Sequence, residues 1–149
     1  MRARTHSVKA SEIVRGWWIV DVNGQTLGRV ASRIATVLMG KGKPTFAPHL
    51  EVGDFVVVVN AKLVRTTGKK LSDKIYYRHT GYPGGLKSVT LEKLLEDHPD
   101  RVIKKAVQGM LPKNKLGRHA LKRLHVYAGA THPHAGQMPQ LLETGAKIG

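Results

Sequence analysis

The sequence contains no cysteine, few aromatic residues and no long apolar run. The absence of cysteine excludes disulfides and thiolate metal sites, and it suits a reducing compartment. With 5% aromatic residues, the core that these 149 residues bury must be mainly aliphatic. The longest apolar run, Phe55–Val59, is far too short to span a bilayer, and no apolar segment of the signal-peptide type opens the chain. We therefore expect one domain of ordinary size without a membrane partner.

Acidic residues are scarce as well. Lys and Arg number 25 against 10 Asp and Glu, which gives a net charge of +15 and a pI near 10.4. A charge of about 2–8 keeps a small domain soluble, so the excess indicates a polyanionic partner, of which nucleic acid is the simplest. The bases are also clustered, because no acid occurs from Arg101 to Leu142 whereas four acids lie between Glu92 and Asp100. This asymmetry predicts a basic face.

The first part of the chain is typical of a βαβ unit. Trp17–Val22 is rich in β-forming residues and ends at the turn signal Asn23-Gly24. Thr26 is placed to cap a helix whose apolar residues recur at helical spacing until Gly40. Phe55–Val59 is apolar without alternation, as in a parallel strand covered on both faces. We therefore predict an α/β domain.

The rest of the chain predicts further elements of both kinds. They are a strand over Lys74–Thr80, a turn over Tyr82–Gly85, a helix over Leu91–Asp97 capped by Thr90, a helix from Pro99, a basic helix over Leu116–Leu124 and a strand over Val126–Ala128. We place the α/β domain at residues 17–130. A flexible basic arm at 1–16 precedes it, and an extended tail rich in Pro and His follows at 131–149.

Four segments combine basic residues with Gly, namely 40–43, 67–70, 76–87 and 113–118. Lys and Arg neutralise phosphates, and Gly beside them lets backbone N–H groups approach the phosphate chain. One such segment is usually a solvated loop, but four in a small domain favour RNA. The residues that we predict to bind RNA are Lys41, Lys43, Lys69, Lys70, Lys74, Tyr77, Arg78, His79, Lys87, Lys113, Lys115, Arg118, Lys122 and Arg123.

The aromatic residues allow two interpretations. Tyr77 either stacks on a base or belongs to the core or its rim, and the sequence does not decide between them. For Trp17 we predict a structural role.

Motifs of enzymes are weak in this sequence. No Ser or Thr follows the Gly-Lys pairs as a Walker loop requires, and the turn at Asn23–Gly28 lacks the G-x-G-x-x-G pattern. His49, Glu51 and Asp54 are near one another, which is a weak indication of a hydrolytic site. A nucleotide-using α/β enzyme therefore remains only an alternative, and we predict no small-molecule substrate and no cofactor.

A metal site is also weakly supported. Zinc sites need four ligands, and neither a cysteine nor an acid lies near His132 and His134. We predict no metal and expect these histidines to pack on the chain or on RNA.

An ordered set of motifs resembles one known family. The motifs are Trp17–Asp21, Thr26–Ala31, Gly40–Lys43 with Pro48-His49, Gly53-Asp54, Val59–Ala61, Thr67–Lys70, Tyr76–Gly81, Gly84-Gly85, Val107–Pro112, Leu116–Arg118, Leu124–Gly129 and His132–His134. Together they are similar to the universal L-thirteen family, the thirteenth protein of the large ribosomal subunit, in its bacterial-type branch. The resemblance covers nearly everything from Trp17 to Leu142.

The resemblance implies a four-stranded parallel sheet flanked by helices and no enzymatic activity. It also implies that the partners are large-subunit rRNA and neighbouring ribosomal proteins, with an early role in subunit assembly. The implied location is a cytoplasmic ribosome, and an organellar ribosome of the bacterial type stays open. A regulator that binds messenger RNA is a further alternative.

Overall fold

The computed structural model describes residues 7–143, so the outer parts of the predicted arm and tail (1–6 and 144–149) lie outside it. The strands are β1 (Trp17–Asp21), β2 (Phe55–Val59), β3 (Ile75–His79), β4 (Leu86–Thr90), β5 (Leu124–Val126) and β6 (Gln140–Leu141). The helices are α1 (Leu27–Met39), α2 (Lys70–Asp73), α3 (Leu91–Asp97), α4 (Pro99–Met110) and α5 (Lys115–Lys122). This is the predicted α/β class.

Four parallel strands form the main sheet, in the order β5-β2-β1-β6. Strand β1 pairs with β2 so that Trp17 lies beside Phe55 and Asp21 beside Val59. The predicted four-stranded parallel sheet is thus confirmed. Its last member, β6, lies in the segment predicted as an extended tail and pairs with β1 at the sheet edge. The prediction for β5 began two residues late, because the strand follows α5 after a single connecting residue.

Helices α1, α4 and α5 pack against one another on one face of the sheet. Both crossovers, β1 to β2 and β2 to β5, step in the same direction, and right-handed connections then place their helices on the same side. The core beneath them is aliphatic and includes Val20, Ile34 and Ile103, each at most 1% exposed. The connection from β5 to β6 runs in the opposite direction, from one edge of the sheet to the other, so residues 127–139 cross the second face. Val56–Val59 is therefore buried on both sides, as predicted.

The ends of α1 and α3 agree with the predicted boundaries, whereas α5 ends two residues before the predicted Leu124. Gly40 ends α1 in the left-handed conformation, and the hydroxyl of Thr90 accepts a hydrogen bond from the Lys93 amide at the start of α3. Thr26 occupies the capping position of α1, but its side chain makes no capping hydrogen bond, which corrects the prediction. Gly53 is required by close packing, since a Cβ there would lie 1.7 Å from the carbonyl oxygen of Leu38.

Strands β3 and β4 form an antiparallel hairpin outside the main sheet. The predicted strand over Lys74–Thr80 is confirmed with slightly shorter bounds, whereas its partner β4 was not predicted. Tyr76 and Val89 pack the hairpin against the core cluster. Lys70 was placed in a loop, but it begins the single-turn helix α2.

Candidate nucleic-acid interface

The fourteen residues predicted to bind RNA separate into two groups in the structure. Twelve are exposed, and two, Lys43 and Arg123, are tied to the protein itself. Those two have the same residue types and the same sequence context as their exposed neighbours. The difference between the groups comes from what the fold brings next to each side chain.

Lys43 neutralises a buried carboxylate. Its Nζ lies 2.5 Å from Oδ1 of Asp54, which is 6% exposed, and it also donates to the carbonyl oxygens of Val14 and Val52. The same carboxylate accepts hydrogen bonds from the Gly16 amide at 2.8 Å and from the Trp18 indole at 3.0 Å. The donors of Lys43 are therefore used by protein groups.

Arg123 is held in a second internal ion pair. The residue is 7% exposed, and its guanidinium donates to Glu51 and to the carbonyl oxygen of Leu38, each at 3.2 Å. His119 contacts the other oxygen of Glu51. Burial acts to raise the pKa of the Glu51 carboxyl, but the hydrogen bond and charge of His119, together with Arg123, lower it below its usual value. Arg123 is therefore, like Lys43, bound to protein groups in this structure.

These two ion pairs include Glu51 and Asp54, which together with His49 gave a weak indication of a hydrolytic site in the sequence. Glu51 and Asp54 are each joined to a different cation, with His119 rather than His49 beside Glu51. Glu51 and Asp54 thus hold the loop before β2 onto the domain.

The hairpin carries two cations on one face and the rings of Tyr77 and His79 on the other. Arg78 lies directly opposite Lys87, whereas Tyr77 and His79 alternate to the other face, where His79 lies opposite Leu86. Tyr77 is 61% exposed, so it belongs to neither the core nor its rim. The Gly81 amide donates to Nδ1 of His79 at the turn. The arrangement combines phosphate-binding and base-stacking groups on one projecting element.

Helix α5 presents a basic face. Lys115, Arg118 and Lys122 follow one another at spacings of three and four residues, opposite the buried face that contains Gly117 and Ala120. The helix begins with a cap in which the Asn114 side chain accepts from the Gly117 amide at 2.9 Å. Lys113 and Arg118 line a shallow cavity of about 210 Å³.

A third basic group was partly missed by the sequence prediction. Lys70 and Lys74 were predicted, and the structure brings Lys105 of α4 next to Lys74, because both ammonium groups lie over the ring of Tyr76. Lys105 is exposed on the polar side of α4, within the acid-free stretch. Its position in the acid-free stretch could have indicated that Lys105 belongs to the basic face. It was not predicted because no Gly lies beside it, and the predicted segments combine basic residues with Gly.

Aromatic and histidine rings cover the second face of the sheet. Trp17 stacks on Phe55 with ring centres 4.4 Å apart, which confirms its structural role. His134 packs against Trp17 and His125, and its Nε2 lies 2.7 Å from the Tyr127 hydroxyl. Burial and the nearby charges of His134 and Lys104 lower the pKa of His125. The His-rich segment thus packs on the chain, as expected.

Residues 7–143 lack two other features, a metal-binding cluster and a helix suited to crossing a membrane. That range holds no group of three or more His, Cys, Asp or Glu residues suited to binding a metal ion. Within the same range, none of the helices has both the length and the apolar character that a bilayer crossing requires.

Comparison with known proteins agrees with this architecture. The family model described as "Ribosomal protein L13" matches residues 15–133. A protein from Geobacter sp. (strain M21) is 56% identical over 139 residues, which cover 93% of this chain and 98% of that protein. One from Nitrosococcus oceani is 57% identical over 140 residues, with 94% and 99% covered. One from Roseiflexus sp. (strain RS-1) is 54% identical over 140 residues, with 94% and 96% covered. All three are called large ribosomal subunit protein uL13. The resemblance inferred from the ordered motifs is therefore confirmed, and the chain belongs to the bacterial-type ribosomal protein L13 family.

Proposed function

We propose that this protein is a structural constituent of the large ribosomal subunit, that it binds large-subunit rRNA through its exposed basic groups, and that it supports early subunit assembly. In this proposal it acts in the cytoplasm on the ribosome, next to other large-subunit proteins, and performs no catalysis. The family assignment supports the ribosomal role, and the distribution of charge supports the RNA partner.

The observation that carries the RNA partner is the pairing of like charges on the hairpin. Arg78 and Lys87 lie directly opposite each other across β3 and β4, an arrangement that destabilises an isolated hairpin. Neither makes an ion pair with a carboxylate in the described part of the chain. Two adjacent cations without a protein counter-charge are stabilised when phosphates lie against them. Helix α5 likewise carries three cations that form no ion pair with a carboxylate in the described part of the chain, namely Lys115, Arg118 and Lys122.

The proposed mechanism is neutralisation of phosphates on separated RNA segments. The hairpin, α5 and the lysines around α2 lie on different elements of one rigid scaffold, so each can hold a separate segment. A protein that binds several segments lowers the electrostatic cost of bringing them together. Tyr77 adds a ring on the opposite face of the hairpin for an unstacked base.

Ribosome fractionation tests the ribosomal role. A tagged copy of the protein is expressed in a bacterium, and the ribosomes are separated on a sucrose gradient after a wash in high salt. We expect the protein to sediment with large subunits and with their assembly precursors. Recovery mainly in the soluble pool would overturn the proposal.

The salt dependence of binding tests the RNA contacts. Affinity for an in vitro transcript of bacterial large-subunit rRNA is measured at several salt concentrations for the natural protein, the variant R78Q/K87Q and the control K93Q. Each neutralised phosphate adds about 0.7–0.9 to the log–log slope, so the hairpin variant should lose roughly 1.4–1.8 of it. The Lys93 control, on an exposed face of α3, should keep the slope to within a fraction of one contact. Equal slopes for all three proteins would contradict the role of the hairpin.

A further inference from the structure

A cavity of about 470 Å³ lies beside the first turn of α1, between α2 and α4. Its volume falls within the range of pockets that take small ligands. Lys70, Lys74 and Lys105 line it together with Leu91 and Met110, and none of the described residues around it is acidic. The cavity thus combines an apolar wall with three cationic groups.

The three ammonium groups that line this cavity have no counter-charge in the described part of the chain. The Nζ atoms of Lys74 and Lys105 lie 5.3 Å and 4.8 Å from the centre of the same Tyr76 ring. Nζ of Lys70 lies 3.3 Å from the hydroxyl of Thr67, which also lines the cavity. The ring offsets part of the repulsion between two of the cations, but no carboxylate between residues 7 and 143 pairs with any of the three.

The acids that are nearest in the sequence are directed elsewhere. Asp73, next to Lys74, accepts a hydrogen bond from the Ser72 hydroxyl at 2.8 Å. Asp100 lies one turn before Lys104 and pairs with that residue rather than with Lys105. A concave site with uncompensated positive charge focuses the electrostatic field and concentrates anions.

We propose that this cavity is a phosphate-binding site, in which Lys70, Lys74 and Lys105 hold one phosphate group. The Thr67 hydroxyl supplies a further donor, and the apolar wall leaves room for the sugar that carries the phosphate. The phosphate belongs either to the RNA backbone or to a free nucleotide, since both present the same group. The proposal does not rest on the ribosomal role, because a free phosphate compound can occupy the site.

Calorimetric titration with inorganic phosphate, at constant ionic strength set with chloride, tests the site directly. The proteins are the natural chain, K74Q/K105Q, K105Q alone and the control K93Q. We expect binding to weaken roughly tenfold for each cavity lysine removed, since a hydrogen bond to a charged group contributes about that factor. K93Q removes the same charge from an exposed position outside the cavity and should bind like the natural chain. If the circular dichroism spectrum shows that K74Q/K105Q is unfolded, the comparison uses K105Q alone.

Two further titrations distinguish the source of the phosphate. If the natural chain binds AMP more tightly than inorganic phosphate, and K105Q loses this difference, the ligand is a free nucleotide. If the log–log salt slope for the rRNA transcript falls by about 0.7–0.9 in K105Q, and AMP binds no more tightly than phosphate, the ligand is a phosphate of the RNA backbone. The proposal is overturned if K105Q and K74Q/K105Q keep the natural affinity for phosphate and AMP and the natural rRNA slope. Failure of the whole chain to bind rRNA would instead overturn the proposed function, and the phosphate titration would still decide this site.

Discussion

Replacing Lys43 by Met is expected to destabilise the fold and to leave RNA affinity unchanged. The substitution keeps the length of the side chain but removes the only ammonium group that the described structure places on the Asp54 carboxylate. The amide of Gly16 and the indole of Trp18 still donate to that carboxylate. They satisfy its hydrogen bonds but leave its buried charge without a contacting cation.

The expected magnitude follows from the burial of the pair. The side chains of Lys43 and Asp54 are 25% and 8% exposed. Removing one partner of a fully buried pair costs about 3–5 kcal/mol, and partial screening at the exposed lysine lowers the figure to about 2–4 kcal/mol. For a chain of this size, each kcal/mol lowers Tm by about 2–4 °C, so we expect a decrease of roughly 5–15 °C.

Urea unfolding and RNA titration of paired variants provide the assay. Lys41→Met is the matched comparison, because Lys41 is exposed in the same loop. We expect K41M to keep its stability within about 0.5 kcal/mol and to lose RNA affinity, whereas K43M shows the reverse. In a double-mutant cycle, D54N should cost less in the K43M background than alone. A K43M protein that is as stable as the natural one, and that loses RNA affinity as K41M does, would refute the internal role of Lys43.

Three further substitutions or conditions test other parts of the structure. Gly53→Ala should lower the free energy of unfolding by more than about 3 kcal/mol in urea, because its Cβ would overlap the carbonyl oxygen of Leu38 unless the backbone moves; a change below 1 kcal/mol would contradict this packing. Tyr76→Phe should leave stability equal or raise it by up to about 1 kcal/mol, because the buried hydroxyl has no hydrogen-bond partner in the described structure; a clear loss in thermal unfolding would reveal a partner. Stability should fall as pH decreases below about 6.5, because the lowered pKa of His125 means that the unfolded chain binds the proton first. Comparison of urea unfolding at two pH values should show a smaller fall for His125→Leu, and an equal fall would assign the effect to other groups.

Local patterns predicted the elements whose stability comes from nearby residues. Helix α1 follows from apolar residues at helical spacing and a terminal glycine, both of which act within a few positions along the chain. Strand β2 follows from an unbroken β-branched run. Strand β4 was missed because its β-branched residues, Val89 and Thr90, come only at its end, and its pairing with β3 stabilises it instead. Strand β6 was missed because two residues carry no pattern, and only the vacant edge beside β1 makes them a strand.

The sequence predicted which types of residue form the candidate interface, but not which individual residues belong to it. Lys41 and Lys43 stand two positions apart in one basic loop, yet one is exposed and the other lies against Asp54. The sequence offers no local signal for this difference, because Asp54 enters through the packing of the segment before β2. Lys105 joins Lys74 only because the fold brings α4 close enough for its ammonium group to lie over the Tyr76 ring of the hairpin.

The excess of positive charge, the α/β order of elements and the ordered motifs of the family can all be read from the amino-acid sequence. These properties depend on composition and on contacts between near neighbours in the chain. Which cations are available to a partner depends instead on how distant segments pack together. The free energy of a charge depends on its burial and on the charges within a few ångströms, and residues distant in the sequence supply both.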